Sequence, residues 1–183
     1  MLRTLLFSLI AIFAIVNAEA STIRDVEVLR DGTTVMISWS AIGSVDVLWS
    51  SDPEAAVADM ELLTENDSDG IFAITDLQPD TRYYFYLRHQ DDSGVRAAAR
   101  LLPLEGGRNF RDLGGYTTTA GNIVKWGRVF RSGHMADLTP GDYQYLSGLG
   151  IRVVCDYRST EQRAAYPTNW AAGEIEYLTR EYT

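Results

Sequence analysis

From Ile23 to Leu101 apolar and polar positions alternate with a two-residue period that turn formers repeatedly interrupt. In "TTVMISW", Val35, Ile37 and Trp39 alternate with polar or smaller neighbours, the mark of a strand with one face buried. The segments "IRDVEVLR", "SVDVLWS", "GIFAITDL", "RYYFYLRH" and "GVRAAARL" read the same way, and Asp31-Gly32 marks a turn between the first two strands. Short strands separated by turns predict a β-sandwich over residues 21–104.

From about Glu105 the pattern changes. "GRNFRDLGGY" is loop-like, and "IVKWGRVFRSG" contains a strand. "LTPGDYQYLSGLG" predicts a helix with Thr139 as N-cap, Pro140 in its first turn and Gly148 or Gly150 near its end. "IRVVCDYRS" predicts a short buried strand, apolar from Ile151 to Cys155 and polar at Asp156, Tyr157 and Arg158. "TEQRAAYP" starts another helix or turn, and "IEYLTREYT" begins a further strand. Strand, helix, strand in this order is a βαβ unit, which implies a parallel or mixed sheet over residues 105–183.

The amino terminus follows neither pattern. "MLRTLLFSLIAIFAIVNAEA" places Arg3 before an apolar run from Leu5 to Val16 and ends on Ala18, Glu19, Ala20. The run is short for a membrane span, which needs about 20 residues, and small residues follow it. Residues 1–20 therefore read as a signal peptide cleaved near Ala20, giving an exported protein, periplasmic or secreted, with no stable membrane anchor. Export implies an oxidising compartment, yet Cys155 is the single cysteine, so stability rests on packing rather than on an intramolecular disulfide.

Net charge changes the picture further. At −9 the chain lacks the broad basic face of a general nucleic-acid binder. Its cations cluster locally instead, with Arg108, Arg111, Lys125, Arg128 and Arg131 lying among glycines between Gly106 and Gly133. This stretch predicts one wall of an anion site. Ligands in α/β sheets gather at the carboxyl ends of strands, where Arg131 and Ser132 end one predicted strand and Asp156 and Arg158 end another. No cluster has zinc or calcium ligand spacing, and neither metal nor cofactor is implied.

Two resemblances add to this reading. In "LQPDTRYYFYLR", Leu77, Pro79, Thr81 and Tyr83 resemble the E–F corner of a fibronectin type III domain, where a tyrosine hydroxyl bonds back to nearby backbone, and Trp39 matches the core tryptophan of that family. A sandwich of this kind implies a protein or glycan partner rather than catalysis, since His89 has no evident acid-base partner nearby in sequence. Further on, "NFRDLGGY", "GRVFRSGHMADLT" and "LGIRVVCDYRSTEQ", spread over roughly Gly107 to Pro167, resemble the amino-terminal motifs of the bacterial tyrosine phosphatases that include dual-specificity and phosphoinositide-active members. The fold class expected is thus a fibronectin type III-like β-sandwich followed by an incomplete α/β cysteine-phosphatase domain.

The second resemblance implies hydrolysis of phosphomonoesters on a phosphorylated protein or phosphoinositide, through a cysteinyl-phosphate intermediate. Such chemistry needs a thiolate whose pKa a positive field lowers, and amide dipoles to hold the phosphoryl oxygens. Asn109, Arg111 and Asp112 match the family's "NFRD" and would frame substrate, as would Arg131 and Ser132; the alternatives are a buried network for the first three and strand-end capping for the last two. Asp156 and Arg158 are the candidates for catalytic support, with Asp156 assisting proton transfer or holding an arginine, or else forming a structural salt bridge. His134 reads as a surface loop residue, and Gly114 and Gly115 as a tight turn with positive φ rather than a phosphate cradle.

The family's H-C-x5-R loop does not occur in these 183 residues. Cys155 has no preceding histidine and Glu161 stands where the arginine would be, and its apolar neighbours predict a buried structural thiol. The expectation is that the 183 residues are a fragment or truncated product of a secreted phosphatase and inactive as they stand. The alternative is an exported, non-catalytic binding module with a phosphatase-like remnant.

Overall fold

The computed structural model describes residues 22–180. The expected signal peptide lies outside the described residues. Seven strands build the first half: β1 (Arg24–Asp31), β2 (Thr34–Ser40), β3 (Val45–Ser50), β4 (Glu61–Asp67), β5 (Ile71–Ile74), β6 (Tyr84–His89) and β7 (Gly94–Ala97). They form two antiparallel sheets, one ordered β1-β2-β5 and the other β4-β3-β6-β7.

Alternation explains how the sheets meet. Val35, Ile37 and Trp39 of β2, Val45 and Val47 of β3, and Phe85 and Leu87 of β6 all point into one buried cluster. Burying each such side chain contributes about 1.5–3 kcal/mol, so two sheets with these inward faces close on each other as a β-sandwich. Gly32 takes φ +57° in the β1–β2 turn, as the Asp-Gly signal requires. The six sequence-predicted strands each overlap an observed one. β4 was not legible: "ELLTEND" is acidic, places two leucines side by side and pairs only with β3, through an irregular register, so no clean period survives.

The second half contains β8 (Arg111–Asp112), β9 (Phe130–Arg131), α1 (Pro140–Ser147), β10 (Val153–Asp156), α2 (Thr160–Ala165) and β11 (Glu176–Thr179). α1 starts as its sequence dictates. Thr139 is the N-cap, Pro140 opens the helix, and the Thr139 and Asp142 side chains form a reciprocal capping box. Ser159 and Gln162 do the same for α2.

Two sequence expectations are corrected here. The parallel pair is β10 with β11, joined through α2, whereas β9 pairs antiparallel with β8. The βαβ unit therefore begins one strand later than expected: in "IVKWGRVFRSG", Phe130 and Arg131 pair antiparallel with β8 and Ile123 forms an isolated antiparallel bridge with Thr117. The strand at Val153–Asp156 is also not buried throughout: Val154 and Asp156 face the core while Val153 and Cys155 face outward. Cys155 is thus exposed rather than a buried structural thiol. In a strand with a partner on one edge and packing on one face, alternate side chains must point away from the core.

Leu102, Phe110, Met135, Tyr145, Leu146, Val154 and Ala172 form a second core. Between the two cores, Trp126 packs on Tyr84 and Ala98, and its Nε1–H donates to the Arg96 carbonyl at 3.1 Å. The backbone crosses the expected 104/105 boundary without a break in hydrogen bonding: Leu102 N–H donates to Phe110 O and Asp112 N–H to Arg100 O, both at 2.9 Å.

Candidate functional site

The loop from Gly106 to Gly133 is fixed to the sandwich by Asp112. This carboxylate is fully buried and accepts from Arg82 Nη2 at 3.3 Å, Gly114 N–H at 2.8 Å and Gly127 N–H at 2.9 Å. Arg82 lies two residues before the start of β6, is itself buried, donates to the Ala99 carbonyl at 2.6 Å and stacks over Tyr84. The two glycines are required by close approach. A Cβ on Gly114 would lie 2.5 Å from Trp126 Cα, and one on Gly127, at φ +71°, would lie 2.5 Å from the Tyr84 hydroxyl. Gly115 adopts the positive φ expected of the pair, at +77°.

Beyond this anchor lies an open cleft of about 1260 Å³, walled by Gly127–Met135 on one side and Leu149–Arg158 on the other, with Gln162, Thr168 and Trp170 closing it. The carboxyl ends of β9 and β10 both open into it. Arg128, Arg131, Arg152 and Arg158 give it a basic lining. Arg131 and Ser132 are exposed within it, and Arg152 joins them from the loop before β10.

The sequence-predicted residues divide. Arg131, Ser132, Asp156 and Arg158 are brought together in the cleft, whereas Asn109, Arg111 and Asp112 do not line it. Asn109 is exposed at φ +54°, Arg111 is exposed on β8, and Asp112 has all its acceptors committed to the junction. The single anion wall expected from the five clustered cations is likewise corrected. Lys125 and Arg128 reach Glu54 of the sandwich at 2.8 and 3.2 Å, and Arg108 lies 3.9 Å from Asp137. Glu54 is held below the usual carboxylate range, first by its hydrogen bond to Lys125.

Asp156 and Arg158 pair with each other. Arg158 Nη2 donates to Asp156 Oδ2 at 2.6 Å and Nε to Oδ1 at 2.9 Å; the Arg158 backbone N–H adds a bond to Oδ1 at 3.0 Å, and the Tyr177 hydroxyl donates to Oδ2. The Arg158 hydrogen bonds hold the Asp156 carboxyl far below the usual carboxylate range, against the opposing effect of partial burial. A carboxylate so held is ionised near neutral pH and cannot donate a proton in this arrangement. The remaining Arg158 donors go to the Tyr166 carbonyl at 2.7 Å and Thr168 Oγ1 at 3.0 Å. Of the three roles open to Asp156, the geometry is that of a structural salt bridge with Arg158.

Cys155 lines the cleft from the outward face of β10. His134 is half-buried, stacks on Tyr166 with centroids 4.8 Å apart, and its Nδ1 lies 3.9 Å from Asp137, too far for a hydrogen bond. Sequence reading missed Arg152, Gln162, Thr168 and Trp170. Arg152 alone carried a signal, as a cation at the start of a predicted strand. Among the described residues no group of three or more His, Cys, Asp or Glu side chains is placed to hold a metal ion, and no helix is long and apolar enough to cross a membrane.

His89, expected to lack a partner, has two. Its Nδ1 lies 2.9 Å from Asp91 Oδ1 and its Nε2 2.7 Å from the Ile42 carbonyl. Both ring nitrogens thus face acceptors, and the hydrogen bond to Ile42, with that to Asp91, raises the His89 pKa.

The similarities described below each cover part of the chain. Two crystal structures of pectate lyase Pel3 from Pectobacterium carotovorum share 23% and 24% identity, covering 45% and 43% of this chain and 29% and 26% of theirs, with TM-scores of 0.32 and 0.34. A likeness of that size bears on neither fold nor activity. A protein of Cupriavidus necator with a provisional tyrosine-protein phosphatase name is 39% identical over 56 residues, 31% of this chain. The match spans only 20% of that protein's length. Residues 102–182, which contain both walls of the cleft, match the tyrosine phosphatase family.

Proposed function

We propose that residues 105–183 are the amino-terminal part of a cysteine-dependent phosphatase domain, exported after signal-peptide cleavage near Ala20, that hydrolyses phosphomonoesters on a phosphorylated protein or phosphoinositide. The observation that carries the reading is the cleft. It lies within the segment matching the tyrosine phosphatase family and brings Arg131, at the carboxyl end of β9, together with Arg152, from the loop before β10. A phosphoryl dianion needs fixed positive charge in a walled, partly desolvated site, and these guanidiniums supply it. Asp156 and Arg158 act as an internally neutral brace that fixes the β10 end rather than as acid and anion ligand.

On this reading the nucleophile is a cysteine in an H-C-x5-R loop, which is not among these 183 residues, and Cys155 is not its substitute. The sandwich is of fibronectin type III type, a reading supported by its strand order and by the Tyr83 hydroxyl, which accepts from Gln78 N–H at 3.0 Å. It would engage a protein or glycan partner.

The test has two parts. The 183-residue chain is assayed for hydrolysis of a small aryl phosphate, with Cys155→Ser beside it, and the native transcript is translated through and past codon 183. No turnover by the chain, and a reading frame that supplies H-C-x5-R, are expected. Turnover that survives Cys155→Ser would exclude the thiol mechanism. A transcript that lacks the loop would leave an exported binding module in place of an enzyme.

A further inference from the structure

The two sheets of the sandwich leave one side open, where the edge strands β4 and β5 face each other without pairing. A cleft of about 220 Å³ opens there, lined by Trp49, Leu63, Leu77 and Tyr83 and rimmed by Glu61 and Asp76. The Trp49 and Tyr83 rings sit 4.7 Å apart at 39°. Both rim carboxylates are exposed, and neither has an ion-pair partner among the described residues.

We propose that this cleft takes the lysine or arginine side chain of a protein partner. Two observations fix that chemistry. The volume lies below the roughly 300–1,000 Å³ of pockets for whole drug-sized ligands, and suits one long side chain. The floor is aromatic and the rim anionic, the arrangement that receives an alkyl stem ending in a cation. Tyr83 is itself buried and engaged by Arg30, whose Cζ lies 5.5 Å from its centroid, so Trp49 is the aromatic wall left to meet the incoming side chain.

Charge complementarity extends beyond the rim. Residues 22–104 carry fifteen acidic and six basic residues, whereas residues 105–183 carry nine of each. The whole net charge of −9 therefore resides on the sandwich, and it would steer a basic segment toward this unit rather than toward the cleft between β9 and β10. The site is independent of any phosphatase chemistry.

The test follows the Trp49 indole N–H in NMR spectra of the 183-residue chain during titration with a short Gly/Ser peptide bearing one central arginine. A citrulline peptide of the same length serves as control. Saturable shifts centred on Trp49 are expected with arginine, at least fivefold weaker affinity with citrulline, and a similar loss for arginine in Glu61→Gln/Asp76→Asn. Those two residues are on the surface, so the fold should survive their substitution. Asp25→Asn/Glu27→Gln removes the same charge from β1 and should leave affinity unchanged. Equal binding of citrulline, unaltered binding by the rim variant, or equal weakening by the β1 variant would each overturn the proposal, the last by reducing it to bulk attraction.

Discussion

Removing the Asp112 carboxylate should loosen the junction on which both halves depend. Asp112→Ala strips the partner from a buried arginine and from two backbone N–H groups, those of Gly114 and Gly127. Breaking one side of a buried ion pair costs about 3–5 kcal/mol, mostly because the remaining charge stays buried without compensation. Arg82 has no alternative: its exposure is 6%, its Nε already lacks a protein partner, and Nη1 is engaged with Ala99. For a chain of this size each kcal/mol shifts Tm by about 2–4 °C, so a fall of roughly 6–20 °C is expected. Thermal unfolding reads that fall, and urea denaturation of wild type, Asp112→Ala, Arg82→Met and the double variant measures the free-energy cost. The double variant should recover at least about 1 kcal/mol relative to the sum of the singles, since it no longer buries an unpaired guanidinium. A single-variant cost under about 1 kcal/mol, or an additive cycle, would refute the junction as described.

Three further outcomes follow from local geometry. The His89 pKa is raised in the folded state, so its stabilising contribution is fully present below its unfolded value of about 6.5 and is lost as pH rises through the folded pKa. Asp91 is lowered to about 2, first by the Ser93 side chain and backbone and then by His89; its contribution is present above about 3.8 and is lost as pH falls through about 2. The Tm difference between wild type and His89→Gln, scanned by calorimetry from pH 5 to 9, should therefore shrink toward the alkaline end. Thr139→Ala removes the N-cap of α1 at a cost of about 1 kcal/mol, while Asp142→Ala should cost more, because Asp142 also accepts from Glu105 and Gly106 N–H at 2.7 and 2.8 Å; chemical denaturation of both variants ranks them. Gly127→Ala forces a Cβ against the Tyr84 hydroxyl at positive φ and should cost about 1–3 kcal/mol, read as a lowered urea midpoint.

The sandwich strands were legible because each needs one buried face, and a two-residue period records that need directly in the chain; so did the start of α1, whose cap and proline act within one turn. β4 escaped because an acidic edge strand has little to bury. At the site, Arg131, Ser132, Asp156 and Arg158 were legible as strand ends, and the family match from residue 102 to 182 covers the motifs that suggested phosphatase chemistry.

What tertiary structure alone decided is where each polar group spends its hydrogen bonds. Sequence left Arg111 and Asp112 open as substrate contacts or as members of a buried network, and alternation on β8 exposes the first and buries the second against Arg82, thirty residues away. Nothing local predicts that partner. The sequence likewise marked Lys125 and Arg128 as anion-binding cations, while Glu54, remote in the chain and adjacent in space, neutralises them in part. Periodicity, caps and turns are properties of neighbouring residues and are readable from order alone. Ion pairing and cleft lining depend on which segments the two cores bring together, and only the folded chain determines that.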